Sequence, residues 1–509
     1  MVSQSTQVAA ATTAVTAAAV LIAGKMLWSN NNASVEQELS FLKDHPSVTH
    51  LLEASLEKLS GDALVKIVRQ LQFWIHEQQQ DEAFSLSTKE LNALTKRLIH
   101  AATWQQRSSS FQCPKVRFGR TELQMPIITA GAMRFQHTWM PDDLPICIRK
   151  EKVLKSPSQE NILRIVRACL QMGINHFETA RMYGTSEVQL VHALTQLMEA
   201  GEIQRSDFIL QTKVVVRPKD EFIKLFEQSW QHVKALGHID LFAFHVVSKT
   251  ETVDQLLSEE HELLELARQY QSEGKIRHIG FSTHGSAANI YKLIDSNQFD
   301  YVNLHHHFFG SYHAEGTPVE HHGTVSHGNR ACVERALELD MGVFGISPMD
   351  KGGHLYQPTR QVARAVGHTK GTPMAFAALH CWQVAKMHTV SIGFARPEDL
   401  TEILEAAEIF AQEQSVPESE QWVRGPLARL NQIQQERLGP EWAEQGLMHV
   451  PGPFHPETDG IGLGHMLWCH NMLQAYGMYD AALARYKNLV DETKKWKKNK
   501  TYEENMAAL

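Results

Sequence analysis

The sequence predicts an α/β protein whose main part is a (β/α)8 barrel, with a helical segment before the barrel and a helical extension after it. Between about Lys115 and Gln412, short apolar runs alternate with amphipathic helical stretches. Eight such runs, each followed by a helix, match the count of a (β/α)8 barrel. An open doubly wound sheet is the alternative, but no GxGxxG sequence follows the first predicted strand.

Residues 1–33 form a leader that allows two interpretations. The stretch Val8 to Gly24 has 17 residues without a charge, close to the shortest span of a bilayer, and Ala and Thr dominate it. It lacks the basic region of a secretory signal and the arginines of a mitochondrial presequence. The leader is either a weak membrane anchor, which places the protein on a membrane facing a reducing compartment, or a cleaved leader of a cytoplasmic or organellar protein.

Residues 34–110 are expected to be helical. SVEQELSFL offers a capping serine before an apolar-periodic run, and DALVKIVRQLQFWI and STKELNALTKRLI place Leu, Ile and Val at helical spacing. The polar stretch QQRSSS (Gln105 to Ser110) then indicates a linker before the barrel.

The barrel is assigned to residues 115–412. Its predicted strands are MPIITAGAM, NHFETA, DFILQTKVV, IDLFAFHVV, IRHIGFSTH, YVNLHHHFF, MGVFGISPM and TVSIGFA. In such a barrel the carboxyl ends of the strands surround one pocket, so the polar residues there are candidates for the site. Specificity depends on the loops after the strands, and the long insertion Gly310 to Arg330 is the main candidate.

Residues 413–509 are expected to form a helical extension. Near its end it carries the basic run Lys494 to Lys500, which we interpret as the solvated end of a helix, with contact to an anionic membrane surface as the alternative. The other basic residues are scattered and the net charge is −8, so nucleic acid is not expected as a partner.

The cysteines and histidines give no sign of a metal centre. The six cysteines are widely spaced and form no CxxC pair, which favours a reducing compartment. Several of the 28 histidines lie between residues 304 and 327, but no carboxylate or cysteine stands among them at a recognised ligand spacing. We therefore expect no metal site.

Four polar side chains at predicted strand ends form a chemically coherent set: Glu178, Tyr183, Lys213 and His245. A phenol has a pKa near ~10, and a nearby ammonium group stabilises the phenolate. A carboxylate paired with that ammonium holds it in position, and a histidine can orient a substrate carbonyl. This set can protonate a carbonyl oxygen while hydride reaches the carbon. No protein side chain supplies hydride, so a nicotinamide cofactor is implied.

The barrel region resembles the aldo/keto reductase family. The residues that carry the resemblance are GRTELQMPIITAGAMRF, GINHFETARMYGTSE, ILQTKV, HIDLFAFHVV, IGFSTHGS and SIGFARPEDL, which occur in the family's order. The resemblance implies that Tyr183 is the general acid, that Lys213 tunes its pKa and that His245 orients the substrate. Glu178 fills the position of the family's aspartate.

The resemblance also implies a cofactor site. Ser282 and Thr283 follow one strand and Asn303 lies on the next, where the family contacts the nicotinamide. Ser347 with the glycines of MDKGGH is expected over the ribose and diphosphate, because small residues let the backbone approach phosphates. After the last strand, Arg396 with the following helix N-terminus offers a site for a 2′-phosphate, which favours NADPH. The full cofactor set is Ser282, Thr283, Asn303, Ser347, Gly352, Gly353, Gly393 and Arg396.

A finer resemblance concerns the subgroup of these reductases that carries a C-terminal extension with iron–sulfur cysteines. SPMDKGGHLY and PGPFHPETDGIGLGHMLWCHNMLQAYGMYDAALARY are similar to that subgroup. The cluster cysteines are absent, because residues 437–452 contain none and Cys469 alone cannot hold a cluster. The extension is therefore expected to be a helical cap without metal.

The sequence thus predicts NADPH-dependent reduction of a small aldehyde or ketone. The main alternative is a catalytically weak nicotinamide-binding barrel that acts as a redox sensor or interaction module. A metal-dependent hydrolase that uses the histidine cluster is a third possibility, although only part of an HHH run on a strand can face one pocket.

Overall fold

A computed structural model of the chain describes residues 111–139, 150–311, 314–315, 317–349, 358–367, 371–447, 450 and 463–483. The leader, the helical region 34–110, the basic run Lys494 to Lys500 and the cofactor candidates Gly352 and Gly353 lie outside these residues. The described residues, apart from 398–401, fall into one compact unit. The barrel belongs to this unit, and the proposed boundary between residues 412 and 413 remains a prediction.

Eight parallel strands close into a barrel, which confirms the predicted fold. Around the barrel the order is β3, β4, β5, β6, β7, β8, β11 and β12, and β12 pairs again with β3. Each predicted apolar run contributes one strand. The barrel strands are β3 (Ile128–Gly131), β4 (His176–Glu178), β5 (Ile209–Val215), β6 (Ile239–His245), β7 (Ile276–Ser282), β8 (Tyr301–Leu304), β11 (Gly342–Gly345) and β12 (Thr389–Gly393).

Helices follow the strands in the order expected of this fold. Within the described residues they are α1 (Lys150–Leu154), α2 (Pro157–Gln171), α3 (Ser186–Glu199), α4 (Lys219–Val233), α5 (Thr250–Leu257), α6 (Leu263–Ser272), α7 (Ala287–Asp295), α8 (Arg330–Glu338), α9 (Arg360–Val366), α10 (Pro373–Leu379), α11 (Leu400–Gln412), α12 (Arg424–Leu438), α13 (Pro440–Gln445) and α14 (Leu463–Tyr476). No helix in the described part of the chain is both long and apolar enough to cross a membrane.

A short hairpin closes the amino-terminal end of the barrel. Its strands β1 (Lys115–Arg117) and β2 (Gln124–Pro126) pair antiparallel. Between them the fully buried Phe118 packs on Tyr301 of β8, with ring centroids 5.8 Å apart. Two strand glycines leave the space for these rings, because a Cβ at Gly280 or Gly342 would meet ring atoms at 2.5 or 2.6 Å. The barrel floor is therefore an aromatic core.

Replacing Gly280 by Ala is expected to lower the free energy of unfolding by about 1–3 kcal/mol, because an added methyl overpacks a filled core. The new Cβ would lie 2.5 Å from Cε1 of Tyr301, whose ring is fully buried. Gly425→Ala is the matched control, since its Cβ would meet nothing closer than 3.5 Å. Thermal and urea unfolding measure the difference, and equal losses in the two variants would contradict this packing.

The insertion after β8 contains a second hairpin, which the sequence did not predict. Strands β9 (Pro318–His321) and β10 (Thr324–His327) pair antiparallel. Within the insertion, the buried Glu315 accepts a hydrogen bond from His327 Nδ1 at 2.7 Å. That contact joins the residues before β9 to the last residue of β10 within the insertion.

The helical extension packs on the same loop region. On α14, Trp468 donates from Nε1 to the carbonyl of Phe309, and the rings of Tyr476 and Phe309 lie 5.3 Å apart. Helices α12 and α14 contact each other through a hydrogen bond from the Tyr476 hydroxyl to the Leu430 carbonyl at 3.2 Å. The extension therefore reaches the loop that follows β8.

Candidate active site

The strand register brings the predicted residues to one end of the barrel. Glu178 pairs with Gly131 and Gln211, so it lies between β3 and β5 at the carboxyl end of β4. On β5, Lys213 lies two residues beyond Gln211, and on β6 His245 pairs with Val215. Side chains alternate along a strand, which places Gln211, Lys213 and Val215 on the same face of β5.

Glu178 and Lys213 form a buried ion pair in the barrel interior. Their side chains are 4% and 2% exposed, and the Lys213 ammonium donates to Oε1 of Glu178. It also donates to the Thr179 carbonyl at 2.7 Å. The other carboxylate oxygen, Oε2, accepts a hydrogen bond from Ser391 on β12 at 3.3 Å. Lys213 of β5 and Ser391 of β12 therefore hold the Glu178 carboxylate, and the carboxylate in turn fixes the Lys213 ammonium.

Tyr183 lies above this ion pair on the turn between β4 and α3. The turn lies alongside β5, because the Arg181 amide donates to the Lys213 carbonyl at 2.9 Å. The Tyr183 hydroxyl is 3.4 Å from both Glu178 Oε1 and Lys213 Nζ. Gly184 has φ +56, and a Cβ there would meet the backbone of Thr138 at 2.1 Å. The turn is thus locked against the loop after β3, and the phenol is aimed at the ion pair.

His245 faces Tyr183 from the end of β6. Their rings meet edge to face with centroids 5.5 Å apart. The next residue, Val246, has φ +58, a conformation that is strained for a β-branched side chain. The Ser282 hydroxyl accepts a hydrogen bond from the Val246 amide at 3.1 Å, and the Ser282 carbonyl accepts from Val247 at 2.8 Å. Ser282 thereby stabilises the turn that sets the position of His245.

Burial controls the protonation of the site. Burial and the negative charge of Glu178 raise the pKa of Tyr183 well above the usual value of a phenol. Burial lowers the pKa of Lys213, an effect that the Glu178 carboxylate partly offsets. Burial and the charges of Lys213 and His284 lower the pKa of His245 well below its ordinary range. At neutral pH, Tyr183 is protonated and His245 is neutral.

Asn303 on β8 lies beside the end of β7. It pairs with Ser282 across β7 and β8 and is fully buried. Neither its Oδ1 nor its Nδ2 has a hydrogen-bond partner among the residues that the structure describes. Thr283 differs, because its hydroxyl accepts from the Gly285 amide at 3.0 Å within a turn. Asn303 therefore presents a free amide acceptor and a free amide donor.

The sequence model of the aldo/keto reductase family matches residues 128–423, more than half of the 509 residues. The chain belongs to the aldo/keto reductase family. It is therefore an oxidoreductase that acts on carbonyl compounds, and a nicotinamide cofactor is the family's hydride source. No curated protein sequence matches the chain significantly.

Solved structures of other aldo-keto reductases resemble this one. A thermostable aldo-keto reductase in complex with the inhibitor epalrestat has 18% identity and a TM-score of 0.44, over 62% of this chain and 99% of that chain. The aldo-keto reductase MGS-M4, from a Medee basin deep-sea metagenome library, has 15% identity and a TM-score of 0.42, over 62% of this chain and 94% of that chain. A candidate aldo-keto reductase from Pseudomonas aeruginosa has 17% identity and a TM-score of 0.43, over 60% of this chain and 98% of that chain.

The residues around Asn303 fit the carboxamide of a nicotinamide. An amide with both a free donor and a free acceptor is the complement of a second amide. The Ser282 hydroxyl already accepts one hydrogen bond and can still donate its own proton. The amide of Asn303 and the hydroxyl of Ser282 thus fit a carboxamide, and their role toward the cofactor remains a prediction.

Three further cofactor candidates lie among the described residues: Ser347, Gly393 and Arg396. Ser347 is half-buried with φ +51 just after β11, and Gly393 is exposed at the end of β12. Arg396 is half-buried three residues beyond Gly393. Their roles toward the cofactor remain predictions, as do those of Gly352 and Gly353. The finer resemblance to the iron–sulfur subgroup also stays a prediction.

The sequence did not reveal two members of the site. Ser391 binds Glu178, and the Thr179 carbonyl accepts from Lys213. A signal for Ser391 was present, since its hydroxyl interrupts the mainly apolar run TVSIGFA two residues before the end of β12. Backbone carbonyls carry no such signal, because every residue has one.

Proposed function

We propose that the chain reduces a small aldehyde or ketone to the alcohol with NADPH, and that Tyr183 is the general acid. The observation that carries the proposal is the position of the Tyr183 hydroxyl, 3.4 Å from the Lys213 ammonium and beside His245. A protonated phenol in this place can donate to a carbonyl oxygen.

In the proposed reaction each residue has a distinct task. Asn303 and Ser282 would hold the nicotinamide, whose chemistry when bound would be hydride transfer to the carbonyl carbon. Tyr183 donates its proton to the carbonyl oxygen as charge develops there, and the Lys213 ammonium stabilises the phenolate that remains. Glu178 is the anchor of Lys213, because an isolated ammonium would be costly at this depth. A solvent proton then restores Tyr183.

His245 is proposed to orient the substrate as a neutral imidazole. Its Nδ1 has no hydrogen-bond partner among the described residues, and its pKa is lowered. A neutral ring can donate one hydrogen bond to the same carbonyl oxygen without competing for the proton of Tyr183. His245 therefore fixes the direction of the carbonyl while Tyr183 transfers the proton.

The preference for NADPH over NADH rests on Arg396 in the loop after β12. A guanidinium group forms strong, bidentate contacts with phosphate. We expect Arg396→Met to weaken NADPH binding by at least about tenfold and to leave NADH binding unchanged, since only NADPH carries the 2′-phosphate. Fluorescence titration with both cofactors measures this, and equal losses for both would contradict the assignment.

The rate of reduction is expected to be independent of pH between about 6 and 8. The raised pKa of Tyr183 keeps the acid protonated throughout this range, and the lowered pKa of His245 keeps the ring neutral. The rate should fall only in the alkaline range. Steady-state assays at saturating cofactor test this, and a tenfold loss per pH unit inside the range would contradict it.

The alternative, a nicotinamide-binding barrel with little turnover, also has a specific observation in its favour. Glu178 Oε1 is as close to the phenol as the ammonium is, and its charge contributes to the raised pKa of Tyr183. A weaker acid transfers its proton less readily. The two functions separate when purified chain is mixed with NADPH and a panel of aldehydes and ketones. Loss of nicotinamide absorbance supports the reductase, whereas tight binding without turnover supports the sensor.

A further inference from the structure

The turn between β9 and β10 brings two histidines to an unusual position. His321 ends β9 and pairs with Thr324 of β10, so His322 and Gly323 form a two-residue turn. Both have positive φ, +49 and +77. Turns of this kind favour Asn-Gly or Asp-Gly, because a side chain is strained in the left-handed region. His322 holds this conformation and points its ring toward α8.

On α8, Glu338 completes the group. Its Oε1 is 3.0 Å from Nε2 of His321 and 2.9 Å from Nε2 of His322. The three ligand atoms lie within 4.8 Å of one another. Two imidazole nitrogens thus converge on one carboxylate oxygen. The group joins the insertion to α8, and it involves none of the proposed catalytic residues.

Tyr291 of α7 supports the ring of His321 from behind. Its hydroxyl is 3.0 Å from Nδ1 of His321, so both ring nitrogens have partners. Histidines that bind metals usually donate the opposite N–H to an oxygen acceptor such as a carboxylate, carbonyl or water, which fixes the tautomer and the ring orientation, and the Tyr291 hydroxyl oxygen can accept in the same way. With its proton on Nδ1, His321 would present a lone pair at Nε2, where a cation and not a carboxylate is the fitting neighbour.

The charges around the group suit a cation. Arg335 contacts the other oxygen of Glu338, Oε2, at 3.3 Å, and leaves Oε1 to the histidines. Arg335 is itself paired with Asp295 at 2.7 Å. With neutral imidazoles, the local charge of Arg335, Asp295 and Glu338 sums to −1. The His321 side chain is 8% exposed and that of His322 is 71% exposed, so a cation can reach the group from solvent.

We propose that His321, His322 and Glu338 bind a Zn²⁺ ion through the two Nε2 atoms and Oε1. Two imidazoles and one carboxylate are a known zinc ligand set that leaves a fourth position for water, whereas Mg²⁺ and Ca²⁺ prefer oxygen ligands alone. Tetrahedral bonds of ~2.0–2.1 Å place ligand atoms about 3.3 Å apart. The contacts of 2.9 and 3.0 Å need to open by only a few tenths of an ångström.

The bound ion connects the hairpin of β9 and β10 to α8. Without it, hydrogen bonds of His321 and His322 with Glu338 join the turn to α8. With it, one coordination centre connects β9, the turn and α8, and ligand binding to the folded state stabilises that state. The sequence alone gave no reason to expect this, because Glu338 lies 16 residues beyond His322 on another element.

Zinc titration of the full chain, prepared without a polyhistidine tag and freed of metal, tests the proposal. His322→Asn removes a ligand but keeps a residue that suits the turn, and Glu338→Gln removes the charged ligand without changing its size. His261→Asn is the control, since His261 is exposed on a different loop. The chain has 28 histidines, and others among them can also bind zinc, so the test depends on the difference in affinity between the variants.

We expect the wild-type chain and His261→Asn to bind one Zn²⁺ ion with the same affinity, measured by calorimetry and by competition with a chromophoric chelator. His322→Asn and Glu338→Gln should lose at least about tenfold in affinity, and Tyr291→Phe about tenfold. Zinc should raise the melting temperature of the wild-type chain but not that of His322→Asn. Equal zinc affinity of the wild-type chain and His322→Asn, or no saturable binding to either, would overturn the proposal.

Discussion

Replacing Tyr183 by Phe is expected to lower the rate of carbonyl reduction by about 10²–10⁴-fold, the contribution of a positioned general acid. The substitution removes one hydroxyl and leaves the ring that packs edge to face on His245. The cofactor pocket should be unaffected, because Asn303 and Ser282 lie on other strands. NADPH affinity and the rate at saturating cofactor are therefore measured on the same preparation.

Tyr479→Phe is the matched control for that substitution. Tyr479 is 59% exposed beyond α14, and its loss of a hydroxyl should change neither rate nor affinity. A Tyr183→Phe variant that retains more than about a tenth of the wild-type rate would show that another group supplies the proton.

Removing either member of the Glu178–Lys213 ion pair is expected to lower the free energy of unfolding by about 3–5 kcal/mol, because the other member is then a buried charge without a partner. Both side chains are almost fully buried. The single variants are Glu178→Gln and Lys213→Met. Thermal and urea unfolding measure the losses.

The double variant of Glu178 and Lys213 is the control for this pair. Since it contains neither charge, it should be more stable than the sum of the single losses predicts, and closer to the wild type than either single variant. Additive losses would show that the two groups do not depend on each other. All three variants are expected to lose most of the reductase activity.

The fold was predictable because each of its strands and helices is indicated by a short stretch of the sequence. Each barrel strand is a short apolar run, and each polar strand end, such as Glu178 or His245, follows directly from the position of its run. In a closed parallel barrel these ends must meet around one pocket. The grouping of Glu178, Lys213 and His245 needed only the strand count and the order of the motifs.

Other features depend on contacts between distant segments, which periodicity does not encode. The binding of Glu178 by Ser391 requires β12 to return beside β3, and the closing of the barrel floor by Phe118 requires two glycines on other strands. The meeting of His322 and Glu338 depends on a positive φ at His322, a conformation that is uncommon for residues other than glycine. None of these can be read from spacing along the chain.

The effect of Lys213 on Tyr183 also differs from the simple expectation. A neighbouring ammonium alone would lower the pKa of the phenol. In the folded site, burial and the Glu178 carboxylate raise it instead, because the phenol contacts both members of the ion pair at the same distance. The residues of the site were predictable, but the balance of charge around the phenol was not.

The transfer of deuterium from NADPH that carries deuterium at both C4 positions of the nicotinamide most directly tests the proposal that this site reduces carbonyl groups. The wild-type chain is incubated with the labelled cofactor and a panel of aldehydes and ketones, and the alcohols are analysed by mass spectrometry. We predict one deuterium on the carbinol carbon of at least one product with the wild-type chain, and almost none with Tyr183→Phe. Tight binding of the labelled cofactor without deuterium in any alcohol would contradict the proposed function.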